Sequence, residues 1–176
     1  IHMAVYELGI KSGDEVIVPA ITFVATVNPV IYTGATPVFV DIDPHTWNID
    51  PEQIEKAITP RTKAIIPVHL YGFPCDMDAI MDLANRYGLY VIEDATESLG
   101  ATYKGWYTGT IGHIGCFSFN GNKVMTTGGG GMIATNNPQQ AGHIKFLVNQ
   151  GRDAGRGYYH PEIGFNYRMT NLEAAM

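Results

Sequence analysis

The chain has 176 residues, 45% hydrophobic and 16% charged, which is enough apolar material for one ordinary globular domain and too much for a disordered segment. Its net charge of −6 comes without any run of lysine or arginine, so the electrostatic footprint of a nucleic-acid binder is missing. No apolar run approaches the roughly 20 residues a membrane helix needs. No charged and then apolar leader opens the sequence, and Cys75 and Cys116 lie far apart without disulfide-framework or metal spacing, so a cytoplasmic protein is expected.

Taken in chain order, Ile1–Gly9 reads as the last turns of a helix. Glu15–Val18 is the first strand candidate, followed by a helix over Phe23–Tyr32 in which Pro29 should make a kink or mark the first turn. Val38–Asp41 reads as a second strand. Asp50-Pro51 then gives an N-cap with proline at the first helical position, where a missing N–H costs nothing, ahead of Glu52–Ile58. Ala64–Val68 is a third strand. From Asp76 to Tyr87, Met77, Ile80, Met81, Ala84 and Tyr87 recur at helical spacing, with Asp76 as N-cap and Gly88 as the C′ stop. Leu89–Glu93, Ile114–Ser118 and Gly131–Ala134 complete the strand candidates, and Thr170–Met176 is again helical. Strands alternating with helices, several of them almost wholly apolar, predict an α/β domain with a mostly parallel central sheet flanked by helices. Both ends fall inside helical patterns, so the chain is expected to be part of a longer protein, truncated at both ends.

The chemistry gathers at strand ends. In a parallel α/β sheet ligands collect at the carboxyl ends of strands, and Glu93-Asp94 closes the apolar run Leu89–Ile92, which puts Asp94 at the mouth of a site. Ser118-Phe119-Asn120-Gly121-Asn122-Lys123 is a polar, permissive loop directly after another strand, from which a lysine can point back over the sheet edge. His69, Tyr71, Arg152 and His160 are weaker candidates to line a cleft. His45, His113 and His143 have no metal spacing, and no metal is expected. The glycines at 109, 112, 115 and 128–131 match neither GxGxxG nor GxxxxGK[ST], and read as turns and places of close backbone approach.

Seen together, Gly13–Pro19, Thr22-Phe23-Val24-Ala25-Thr26, Gly34–Asp41, His69-Leu70-Tyr71-Gly72, Glu93–Ala101, Ser118–Lys123 and Gly164–Met169 resemble the DegT/DnrJ/StrS family of sugar aminotransferases. The resemblance covers nearly the whole chain and perhaps half of a typical family member. It implies the aspartate-aminotransferase-like fold (PLP fold type I), with residues 1–176 forming part of the PLP-binding large domain and the small C-terminal domain absent. It also implies a homodimer with active sites at the subunit interface, pyridoxal 5′-phosphate (PLP) held as a Schiff base, and a nucleotide-linked keto-sugar and an amino-acid donor as partners. By that similarity Lys123 holds the cofactor and Asp94 partners its pyridine nitrogen. Phe23 stacks on its ring, Ser118 is a phosphate ligand, and Asn166 reaches a phosphate from the other subunit. These residue types suit the chemistry. A carboxylate beside the ring nitrogen favours the protonated electron sink, and an amine can both anchor an aldehyde and shuttle a proton, which a permanently protonated arginine cannot.

One departure concerns Glu97, where the family commonly has glutamine beside the cofactor's phenolic oxygen. A carboxylate there would repel a phenolate unless it were protonated or turned elsewhere. The Glu97-Ser98 pair resembles the subgroup that aminates C4 of UDP-linked 4-keto-6-deoxy-N-acetylhexosamines, so amino transfer from L-glutamate to a 4-keto-6-deoxy sugar is the expected activity. A sugar dehydratase of the same family is the alternative enzyme, although those relatives carry histidine in place of the lysine. A non-catalytic regulatory relative is the other alternative.

Overall fold

The computed structural model describes residues 1–176, with strands and helices alternating along the chain. Helix α1 (His2–Glu7) leads to β1 (Glu15–Pro19), α2 (Val24–Tyr32), β2 (Thr36–Val40), α3 (Pro51–Ala57) and β3 (Thr62–Ile65). After a 3-10 turn at Leu70–Gly72 come α4 (Met77–Tyr87), β4 (Tyr90–Asp94), a small hairpin of β5 (Thr102–Tyr103) and β6 (Trp106–Tyr107), then β7 (Ile114–Ser118) and β8 (Gly131–Ala134). Helix α5 (Pro138–Leu147), a 3-10 turn at Ala154–Arg156 and α6 (Asn171–Ala175) follow.

Six strands form one sheet in the order β2-β1-β3-β4-β7-β8. All neighbours are parallel except β7 and β8. The parallel strands therefore end along one edge. Because β8 returns antiparallel, no crossover is needed, and the loop between β7 and β8 leaves and re-enters at that same edge.

Alternation along the strands builds two cores. Val16 and Val18 of β1 and Ile92 of β4 face a cluster that includes Met3, Val5, Val30, Ile144 and Leu147, from α1, α2 and α5. Ile17 and Val91 face the opposite cluster, with Ile54 of α3 and Met77, Ile80 and Leu83 of α4. All five residues of β1 are buried, as expected of a strand covered on both faces.

Local chemistry explains most element ends. Asp76 accepts a hydrogen bond from the Ala79 N–H, and Gly88 takes the left-handed conformation at φ 66°, so α4 begins and stops where its caps predict. Asp50 caps α3 through Glu52 N. Phe23 turns out to be the extended N-cap of α2, and Pro29 lies buried inside that helix. The third strand ends at Ile65, short of the expected Val68, because Pro67 has no N–H to give to the ladder. Proline is tolerated at Pro37 because β2 is an edge strand.

Two elements escaped the sequence reading. Lys104 and Gly105, with φ of 49° and 88°, form the two-residue turn of the β5–β6 hairpin, the positive-φ pattern such turns require. Helix α5 opens with Asn137 capping two N–H groups ahead of Pro138, the same signature as Asp50-Pro51. No helix is long and apolar enough to cross a membrane.

Candidate active site

The edge where β1, β4 and β7 end carries most of the residues singled out from the sequence. Asp94 is the last residue of β4 and 3% exposed. Its position on the strand turns it to the α2 face, where Thr26 Oγ1 donates to Asp94 Oδ2 at 2.6 Å. The Thr96 N–H donates more weakly to Oδ1, at 3.3 Å. Its backbone is fixed as well: Asp94 N donates to Pro67 O, and His69 N donates to Asp94 O. With one donor on each oxygen, the carboxylate keeps lone pairs for a further partner.

Lys123 sits in the loop between β7 and β8, which is closed on itself at its neck. Phe119 is buried there, its N–H donates to Gly130 O, and its carbonyl accepts from Thr127 N and from Thr126 Oγ1. Lys123 N donates to Asn120 O. The ammonium lies 3.7 Å from Glu97 Oε1, with the lysine side chain 15% exposed. Since Glu97 leaves the turn that directly follows Asp94, the acid at the end of β4 and the amine of the next loop gather at one end of the sheet.

Glu97 thus turns to Lys123 and, through Oε2, accepts the Tyr71 N–H at 2.8 Å. That contact holds Tyr71 at φ 50°, a left-handed conformation that non-glycine residues rarely take. Ser118 ends β7, and its Oγ accepts from Asn120 N at 3.3 Å. Phe23 follows β1 and is 74% exposed. Asn166 is exposed, pairs through its backbone with Asn149 beside the end of α5, and makes no side-chain hydrogen bond to Asp94, Ser118 or Lys123.

His69 is a correction: expected as a candidate to line the cleft, it is fully buried on the α4 face. Its Nδ1 accepts from Cys75 N at 3.1 Å, so the ring proton must sit on Nε2, which donates to Glu93 Oε2 at 3.0 Å. Glu93 Oε2 also accepts from Gly109 N, and Oε1 from Ile111 N and Gly112 N. Burial pushes the Glu93 carboxyl up, but the His69 hydrogen bond and the Gly112 and Gly109 N–H groups outweigh it, and the net shift is below the ordinary 4.5. The close loop approach this requires leaves no room at Gly115, where a Cβ would stand 1.9 Å from the Gly109 carbonyl oxygen. Arg152 and His160 are used locally: Arg152 Nε donates to Gly157 O, and His160 Nδ1 pairs with Gln150 O. Both cysteines are free and buried, with their thiols pushed up by burial.

The residues that sequence reading quoted without assigning a task are Thr22 and Thr26. Their four-residue spacing around a helix start was the available signal. A cavity of about 820 Å³ opens between α1, α5 and β8; its lining includes His2, Lys145 and Tyr167 and reaches Thr96 beside Asp94, but not Asp94 or Lys123 themselves.

The site residues fit a planar, phosphorylated pyridine aldehyde. They offer a held carboxylate with lone pairs to spare, a primary amine on the adjoining loop, an uncovered aromatic ring, and a hydroxyl at the end of β7.

Sequence and fold comparisons agree with this arrangement. Over residues 1–176 the chain matches the DegT/DnrJ/EryC1/StrS aminotransferase family, and it belongs to that family. It is 55% identical over its whole length to the GDP-perosamine synthase of Caulobacter vibrioides, covering 47% of that protein. It is 49% identical over 96% of its length to the UDP-2-acetamido-2-deoxy-3-oxo-D-glucuronate aminotransferase of Pseudomonas aeruginosa, covering 47% of it. The crystal structure of NtdA from Bacillus subtilis with bound cofactor PMP superposes with a TM-score of 0.90 at 44% identity, over 99% of this chain and 40% of that one. The fold is that of the PLP aminotransferases. The chain spans about half the length of the curated relatives it matches.

Proposed function

We propose that the full-length protein is a PLP-dependent aminotransferase that moves an amino group onto the keto carbon of a nucleotide-linked sugar. The observation that supports this reading is that a held carboxylate, Asp94, and a primary amine, Lys123, lie at one end of a parallel sheet, the amine 3.7 Å from Glu97, three residues after Asp94. The names of the two curated relatives support the nucleotide-sugar class, one through a GDP-linked and the other through a UDP-linked compound. Within that class we propose a 4-keto-6-deoxy sugar as acceptor and L-glutamate as donor. Because one of those relatives is named for a 3-oxo sugar, the carbon aminated is the finer part of the proposal. Residues 1–176 are part of the large domain of a cytoplasmic homodimer, in which Asn166 contributes to the partner's phosphate site.

PLP supplies an electron sink whose strength depends on a protonated ring nitrogen. Asp94 would hold the proton at that nitrogen by accepting a hydrogen bond from it. Lys123 Nζ would anchor the cofactor reversibly and, as a free amine, would carry a proton to and from the substrate carbon. Phe23 would shield the ring from water, and Ser118 Oγ would donate to the phosphate. Glu97 orients the Lys123 ammonium while keeping the 70–72 turn closed over this end of the sheet.

Addition of PLP to the full-length protein is expected to produce a yellow species that borohydride fixes covalently on the peptide containing Lys123. A Lys123→Ala variant that still traps cofactor on that peptide would falsify the assignment. Incubation with glutamate and UDP-, GDP- and dTDP-linked ketoses, followed by mass measurement, tests the substrate. If only 3-keto sugars gain the amine, the 4-keto reading fails while amino transfer stands.

A further inference from the structure

We infer that Thr26 is a positioning residue for Asp94, held in turn by Thr22, and that this pair of hydroxyls sets how fully Asp94 keeps a proton on the pyridine nitrogen. The inference rests on the functional reading above and deepens it.

The direction of the hydrogen bonds can be worked out atom by atom. Thr26 Oγ1 donates to Asp94 Oδ2 at 2.6 Å. A hydroxyl has only one proton to give. The contact of 2.7 Å between the Thr22 and Thr26 hydroxyls must therefore run from Thr22 to Thr26. The result is a one-way chain, Thr22 to Thr26 to Asp94, in which each donor polarises the next.

Placement explains why Thr26 is available. It is the third residue of α2, where the Phe23 carbonyl three residues back already accepts from Thr26 N and no helical residue stands four positions back, so its hydroxyl turns to Asp94 instead of to its own helix. It is 1% exposed and lies on the face of the sheet that also packs Val30 and Ile92, where a valine would satisfy packing alone. The hydroxyl instead pins one carboxylate oxygen, and the remaining lone pairs point where no protein group uses them. A carboxylate free to rotate would share its charge among several directions. One fixed from behind presents it to a single N–H.

The test uses the full-length protein reconstituted with PLP labelled with ¹⁵N in the ring. The nitrogen chemical shift and the PLP dissociation constant are measured for wild type, Thr26→Val, Thr26→Ser and Thr22→Val. Wild type is expected in the protonated range. Thr26→Val should move toward the neutral range and bind PLP about tenfold more weakly, the size of one hydrogen bond to a charged group. Thr26→Ser should restore the wild-type shift, and Thr22→Val should move it in the same direction by less. A folded Thr26→Val with the wild-type shift overturns the inference. If Thr26→Val does not fold, an unmoved shift in Thr22→Val does so instead. Failure of wild type to take up PLP would sink the functional reading itself, and is seen without any variant.

Discussion

Glu93 and Asp94 are consecutive residues of β4, both buried carboxylates, yet the two faces of the sheet use them in opposite ways. On the α4 face, Glu93 takes two donors on each oxygen, from His69, Gly109, Ile111 and Gly112, and has no lone pair left. On the α2 face, Asp94 takes one donor on each oxygen, and one of these is long. A saturated carboxylate ties loops together. An unsaturated one can meet a ligand. Burial and charge are common to both acids, and the count of unused lone pairs is what separates them.

The comparison can be broken most sharply at Asp94. Asp94→Asn keeps the shape and an oxygen for Thr26, and turns its NH₂ only toward the long contact from the Thr96 N–H, so stability measured by urea denaturation should fall by about 1 kcal/mol, less than in Glu93→Gln. The amide cannot hold a ring proton as an anion does, and amino transfer should fall by on the order of 100- to 1000-fold, read from kcat/KM. Similar losses of stability in Asp94→Asn and Glu93→Gln would erase the distinction drawn between them.

Glu93→Gln should do the reverse. The amide NH₂ must face one of the N–H groups that the carboxylate now accepts, a mismatch worth about 2–4 kcal/mol of stability in the same measurement. The pH dependence sharpens this. Because the folded-state carboxyl lies below its ordinary 4.5, its contribution is present above the unfolded value and is lost as pH falls through the folded one. Wild type should therefore show an acid destabilisation below that value that is smaller in Glu93→Gln.

The smallest effect is expected on the surface. His143 bridges Glu7 at 2.6 Å and Glu162 at 3.0 Å with its side chain 41% exposed. The hydrogen bond to Glu162 is the main reason its ring is raised above 6.5. A raised folded value means the stabilisation is full below the unfolded value and is lost as pH rises through the folded one. Thermal melts of wild type and His143→Gln at pH 6 and pH 9 should differ only at the lower pH, by less than about 1 kcal/mol given the solvent screening.

Much of the site was legible because its residues sit at strand ends, where apolar runs stop and polar residues begin. The positions of Asp94 and Lys123 beside strand ends follow from that pattern, their cofactor roles and that of Ser118 from the family resemblance, and α3 and α4 from their caps. The hairpin at Lys104-Gly105 and helix α5 also carried local signals, in a positive-φ turn pair and an Asn-Pro cap. His69 could not be placed in this way. On sequence it is a polar residue after a strand, like Asp94, and only its neighbours show that it faces a closed pocket rather than an open edge.

The sequence by itself determined the alternating strands and helices, the mostly parallel sheet, and the acid and amine at strand ends, because each is written in residues a few positions apart. Tertiary structure decided which oxygen of which carboxylate stays free. Thr26 meets Asp94 across 68 positions, and the donors to Glu93 other than His69 come from a loop 16 to 19 residues away. Lone-pair occupancy is a property of what the fold brings together, and no local pattern encodes it.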